Sequence, residues 1–131
     1  MAADLTHAHP DLVAAVDRIL PAMRLFGHTM IVLEGERSTE RQRQLYAQGR
    51  TAPGRRVTNC DGINDRSPHQ VQRDGYVHAA DLVFLVDGRP SWADTLPWGL
   101  YGAMVQACGL RWGGSFRTLP DSPHMEVPMA K

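Results

Sequence analysis

Ala79-Ala80-Asp81-Leu82-Val83-Phe84-Leu85-Val86-Asp87-Gly88 is the stretch on which the fold turns. The run from Ala79 to Val86 is apolar enough for a buried strand, and Asp87-Gly88 is a strong turn signal at its end. One residue breaks the pattern. A carboxylate at Asp81 is expensive to bury unless it is paired or bound to a cation. The plainer alternative is a capped or salt-bridged Asp at the edge of a strand.

Downstream, Leu96 to Cys108 reads as a helix with Leu100, Met104, Val105 and Cys108 on one side and Gly109 as its stop. Short strands around Leu110 to Trp112 and His124 to Val127 are expected to close the sheet. Upstream, Asp11 to Phe26 sets Leu12, Val13, Val16, Ile19, Leu20 and Met23 near helical spacing, with a kink expected at Pro21 and a stop at Gly27. Thr29 to Leu33 is a short β-branched strand. Thr39 with Gln42 resembles a capping box, opening a helix that runs to Gln48 and ends at Gly49.

Between that helix and the decisive strand, residues 50 to 77 carry Gly, Pro, Asn, Asp and Ser with little periodicity. A stretch of that length points to a functional loop. The fold class is therefore α+β, with helices packed on a small, mainly antiparallel sheet.

A chain of 131 residues with 43% apolar and 21% charged residues is long enough for one self-sufficient core, and no repeat or linker divides it. Residues 1–131 are expected to form a single domain, with no separate binding unit beside it. Fourteen basic and fourteen acidic side chains cancel, so no overall field argues for nucleic acid or an anionic membrane. Met1 to Pro10 lacks the basic and apolar regions of a secretory signal, which implies synthesis in the cytoplasm. Cys60 and Cys108 fit no metal spacing and read as free thiols. His7 and His9 read as part of a frayed terminus.

Catalytic zinc sites take three protein ligands from His, Asp, Glu or Cys and keep a fourth position for water. The candidates are His69 in Ser67-Pro68-His69, Asp81, and the cluster Asp121-Ser122-Pro123-His124. Each also has an ordinary reading as a solvated loop histidine, a strand-edge acid or a surface turn.

Four blocks tie them together. They are Glu34-Gly35-Glu36-Arg37-Ser38 with Gln42 and Leu45-Tyr46; Gly49-Arg50-Thr51-Ala52-Pro53-Gly54; Ser67-Pro68-His69 leading to Ala79-Ala80-Asp81-Leu82; and Arg111-Trp112-Gly113-Gly114 leading to Asp121-Ser122-Pro123-His124. In order and chemistry the chain resembles the zinc D-alanyl-D-alanine carboxypeptidase and L-alanyl-D-glutamate endopeptidase family. That family includes phage endolysins and shares its fold with the hedgehog signalling domain.

The resemblance implies one Zn2+ per chain on His69, Asp81 and His124. It also implies Asp121 as the base, Arg37 as a donor to the oxyanion and Gln42 beside the substrate. On motif position it adds Arg50, Ser67 and Trp112 as substrate contacts. Two features depart from the family pattern. Twelve positions separate His69 from Asp81, more than in the family's commonest form, which raises His78 as a rival ligand. Glu36 stands where an aromatic is usual. Within a strand His78 and Asp81 point to opposite faces, which favours His69. Glu126, alternating with His124 on one strand face, is a second candidate base.

The Gly49–Gly54 block and the Trp-Gly-Gly end look more like the endopeptidases than the carboxypeptidases. The resemblance implies a peptidoglycan peptide substrate, a monomer with neither nucleic-acid nor stable membrane partners, and an endolysin reaching the periplasm and wall through a holin. A D-alanyl-D-alanine carboxypeptidase is the alternative enzyme. The arginines between 37 and 56 raise a second class, an anionic-polymer binding module, against which the neutral charge and the lack of interleaved aromatics stand. An inactive adaptor domain on the same fold is a third, opposed by Asp121, Arg37 and Gln42 occurring together.

Overall fold

The computed structural model describes residues 3–128. Helix α1, Pro10–Leu25, begins with a proline whose missing N–H costs nothing at the first helical position, and His9 Nδ1 accepts the Asp11 N–H. It buries Leu12, Ala15, Val16, Ile19 and Met23. The segment before it is tied down rather than frayed. Ala3 N donates to Val32 O, and His9 N and Val77 N bond Val77 O and His7 O across a short parallel bridge.

Strand β1, Met30–Glu34, leads to α2, Thr39–Ala47. The N-cap of α2 is Ser38, whose hydroxyl accepts the Arg41 N–H, and not Thr39. The expected Thr39–Gln42 capping box is thereby corrected by one position. Released from capping, Gln42 turns inward and is completely buried.

Strand β2, Ala79–Val86, lies at the centre of a five-stranded sheet of order β1-β2-β5-β4. Here β4 is Arg111–Trp112 and β5 is His124–Glu126, and all the strand pairs are antiparallel. A strand the sequence reading did not separate, β3 (Arg89–Ser91), pairs with the end of β2. The hairpin closes through Asp87 and Gly88, both with positive φ (52° and 77°), as a two-residue turn of this twist requires.

Helix α3, Trp98–Ala107, packs beside α1. Its most buried residues are Trp98, Tyr101, Gly102 and Val105, so the inward face is rotated from the one that Leu100, Met104 and Cys108 suggest; those three are half-buried. Aromatic packing sets the rotation. The Trp98 ring meets Phe84 of β2 edge-on at 4.8 Å, and Gly102 lies so close to the Trp112 indole that a Cβ would overlap it. Leu12, Ile19, Met23, Leu82, Val83, Phe84 and Met125 form the centre of one core, each contributing about 1.5–3 kcal/mol by leaving water. Cys60 and Cys108 are free thiols.

Candidate active site

Asp81 sits where β1, β2 and β5 meet, opposite Glu34 on one side and His124 on the other. Antiparallel partners project to the same face, so the register itself brings Asp81 and His124 together. His69 arrives from the 50–77 loop. That loop is docked by Arg37 N donating to His69 O at 2.7 Å and by His78 N donating to Pro68 O at 2.8 Å.

The three side chains converge on one point. His69 Nε2 is 3.3 Å from both His124 Nδ1 and Asp81 Oδ1, and His124 Nδ1 is 3.2 Å from the same carboxylate oxygen. The outer nitrogens fix the tautomers. His69 Nδ1 donates to Gly35 O at 2.8 Å, and His124 Nε2 donates to Glu126 Oε1 at 2.8 Å. Each inner nitrogen therefore presents a lone pair to the other and to a carboxylate.

Three electron-pair donors facing one another fit a cation between them. Tetrahedral bonds of about 2.0–2.1 Å place neighbouring ligand atoms about 3.3 Å apart, which is the edge of the observed triangle. Two histidines and one carboxylate, each histidine held by an acceptor on its far nitrogen, form a donor set suited to zinc.

The same proximity governs the charges. When no cation lies between them, protons on the facing nitrogens take its place: burial opposes ionisation of Asp81, but hydrogen bonds from the protonated His124 and His69 outweigh it and hold its carboxyl well below the usual range. Burial would likewise lower His124, yet Asp81 and Glu126 on its two nitrogens raise it to about 9. Burial would raise Glu126, but the His124 bond keeps it low.

Asp121 stands beside this centre in a turn whose backbone is bonded at every residue. Asp121 N donates to Gly113 O, Trp112 Nε1 to Ser122 O, Tyr101 Oη and Leu82 N to Pro123 O, and His124 N to Asp121 O. A Cβ at Gly113 would overlap Asp121 O and crowd His124 Cβ, so glycine is required there. Among the described residues the Asp121 carboxylate accepts no hydrogen bond. Burial, then the charge of Asp81, raise its pKa above the ordinary value, against the pull of His124, His69 and Arg37.

Arg37 and Asp121 line the same cleft, of about 210 Å³, together with His69 and His124. Arg37 is held by a two-toothed pairing with Glu34 at 2.8 and 3.0 Å and by Gln42 Oε1 at 2.8 Å. Thr58, Asn59 and Cys60 form part of the wall, so the long loop does build the site.

Not every residue picked out by motif reaches the cleft. Gln42 lies behind it: its oxygen accepts from Arg37, and its amide donates to Cys60 O and Thr58 Oγ1. Ser67 is on the wall, but its hydroxyl accepts the His69 N–H and so shapes the ligand loop. Arg50 is turned elsewhere, stacked over Tyr46 and bonded to the carbonyls of Tyr46 and Thr58. Trp112 lines the adjoining groove.

His78 is kept out of the centre by Asp74, whose carboxylate takes its Nε2 at 2.7 Å. Glu126 is committed to His124 and to Arg111, at 3.3 Å, which fits a residue that orients His124. Glu34 and Gly35 belong to the first motif block but had no role assigned to them, because an acid and a glycine at a strand exit do not show what they will hold.

Comparison with known proteins agrees with this fold. No family model matches the chain. The peptidoglycan L-alanyl-D-glutamate endopeptidase CwlK of Bacillus subtilis is 26% identical over 127 residues, covering 91% of this chain and 72% of the relative. The crystal structure of the L-Ala D-Glu endopeptidase ChiX of Serratia marcescens superposes with a TM-score of 0.62 at 29% identity, covering 95% of this chain and 83% of that one.

Proposed function

We propose that this chain, a peptidase homologous to the L-alanyl-D-glutamate endopeptidases, cuts the L-alanyl-D-glutamate bond of the peptidoglycan stem peptide with one zinc ion on His69, Asp81 and His124. The observation that carries the reading is the triangle of 3.2–3.3 Å between their ligand atoms. Zinc bound there supplies a Lewis acid that polarises the scissile carbonyl and acidifies a water.

The protein's own groups do the rest. A carboxylate oxygen of Asp121, free of hydrogen bonds among the described residues and raised in pKa, takes the proton of the attacking water and passes it to the leaving amine nitrogen. Arg37, immobilised by Glu34 and Gln42, offers its remaining N–H groups to the oxyanion that develops on the carbonyl oxygen. Gln42 and Glu126 position Arg37 and His124 respectively.

The cleft favours an endopeptidase over a D-alanyl-D-alanine carboxypeptidase. It shares Asn59 and Cys60 with one adjoining groove and Phe116 and Thr118 with another, so a peptide that continues beyond the scissile bond in both directions has walls to lie against. In the narrower setting the protein acts as a monomeric phage endolysin, made in the host cytoplasm and reaching the wall through a holin. The phage-like Gly49–Gly54 block supports that setting. No helix of the described residues is long and apolar enough to cross a membrane.

The test is digestion of purified peptidoglycan with mass spectrometry of the fragments, alongside elemental analysis of the protein. New L-alanine carboxyl ends and D-glutamate amino ends, with one zinc per chain, are expected. Cleavage only at a terminal D-alanine would move the chain to the carboxypeptidases. No cleavage and no zinc would sink the reading.

A further inference from the structure

The two grooves that continue the cleft differ in charge. On the side of Asn59 and Cys60 the lining contains Asp65 and Asp74 as well as Arg66 and Arg73, two acids against two bases. On the side of Phe116 and Thr118 it contains Arg111 and Arg117 and no acid. Arg117 is exposed and makes no ion pair among the described residues. Arg111 uses Nη1 on Glu126 and lies over the Phe116 ring at 4.8 Å, with its side chain 55% exposed. Arg37, the remaining cleft arginine, is neutralised by Glu34.

The proposed substrate is asymmetric in the same sense. A glutamate within a peptide has two carboxyl groups and spends one on the onward linkage, so the residue after the scissile bond carries a free carboxylate that the alanine before it lacks. Guanidinium groups pair with carboxylates through parallel N–H donors.

Resting on the endopeptidase reading, we propose that the Arg111–Phe116–Arg117 groove is the subsite for the carboxylate-bearing, D-glutamate side of the substrate. The peptide then lies in one direction, with its alanine side toward Asn59 and Cys60. Arg117 supplies the uncommitted charge, Arg111 a second donor, and Phe116 a flat wall between the groove and His124, whose ring centroid is 5.7 Å away.

Binding, measured apart from cleavage, tests this. Calorimetry on the zinc-loaded Asp121→Asn protein compares N-acetyl-L-alanyl-D-glutamyl-L-lysine amide, its spare carboxyl free, with the same peptide carrying a carboxamide there. The carboxylate peptide is expected to bind about tenfold tighter. Arg117→Glu should erase that preference by weakening the carboxylate peptide alone. Arg73→Glu, in the other groove, should leave it intact. No preference in the parent, a preference that survives Arg117→Glu, equal loss for both peptides, or no binding of either overturns the subsite. Because cleavage is read separately on the wild type, a groove that discriminates in a protein that does not cut would refute the endopeptidase reading alone.

Discussion

His124 and Asp81 stand opposite one another across the β5–β2 pair, with His124 Nδ1 3.2 Å from Asp81 Oδ1. Register places them there, and a slip of one residue in either strand would turn one of the two to the opposite face of the sheet. The strands that build the core thus also build the candidate metal site, and disturbing either is expected to disturb both.

Substituting His69 or His124 by alanine should remove the zinc, while His78→Ala, whose imidazole is held by Asp74, should retain it. Elemental analysis of the purified variants decides this. Zinc kept in His69→Ala and lost in His78→Ala would transfer the ligand role.

Stripping the metal leaves a proton shared between His124 and Asp81 in place of the ion that would join all three ligands. A ligand present at about a hundredfold excess over its dissociation constant adds about 2.7 kcal/mol to a fold. Chelation should therefore lower the melting temperature by about 10 °C, zinc should restore it, and His124→Ala should show neither response. Calorimetric scans with and without chelator give the answer.

Asp121→Asn keeps the turn, whose bonds to neighbours are made by the backbone, but removes the proton acceptor. Zinc content should be unchanged and kcat should fall by about 10²–10⁴. Full activity in this variant would pass the role of base to another group, with Glu126 next in line.

Gln42→Leu removes an amide that is wholly buried and bonded to Arg37, Thr58 and Cys60. Unpartnered buried donors and acceptors should cost about 3 kcal/mol in denaturant unfolding. Activity should drop with zinc retained, since Arg37 loses one of its two supports. Unchanged stability would mean that the loop does not depend on this amide.

Gly113→Ala places a methyl group against the Asp121 carbonyl and the His124 side chain. Over-packing of this kind costs about 1–3 kcal/mol, and here the strain falls on the turn that holds both base and ligand. At least about a tenfold loss of activity is expected in a peptide cleavage assay, even at temperatures where the variant is folded. Wild-type activity would show that the turn relaxes freely.

Local pattern was enough for most of the helices and strands, and the family resemblance for the candidate ligands. Ala79–Val86 appears as the strand it spells, because a continuous apolar run before Asp87-Gly88 has few other ways to leave water. Asp81 was conspicuous because a carboxylate in such a run needs a partner. Local pattern could not show which residues cap, brace or touch substrate, since those roles depend on contacts between positions far apart in the chain. Gln42 and Ser67 carry motif signals for a site that they support from behind or beside. Glu34 and Gly35 stand in the first motif block without a role of their own, yet they hold Arg37 and His69. Only tertiary structure could decide that His69 and not His78 meets Asp81. The choice lies in how a 28-residue loop folds back on a strand exit, through backbone bonds from Arg37 and His78 that any residue type could make.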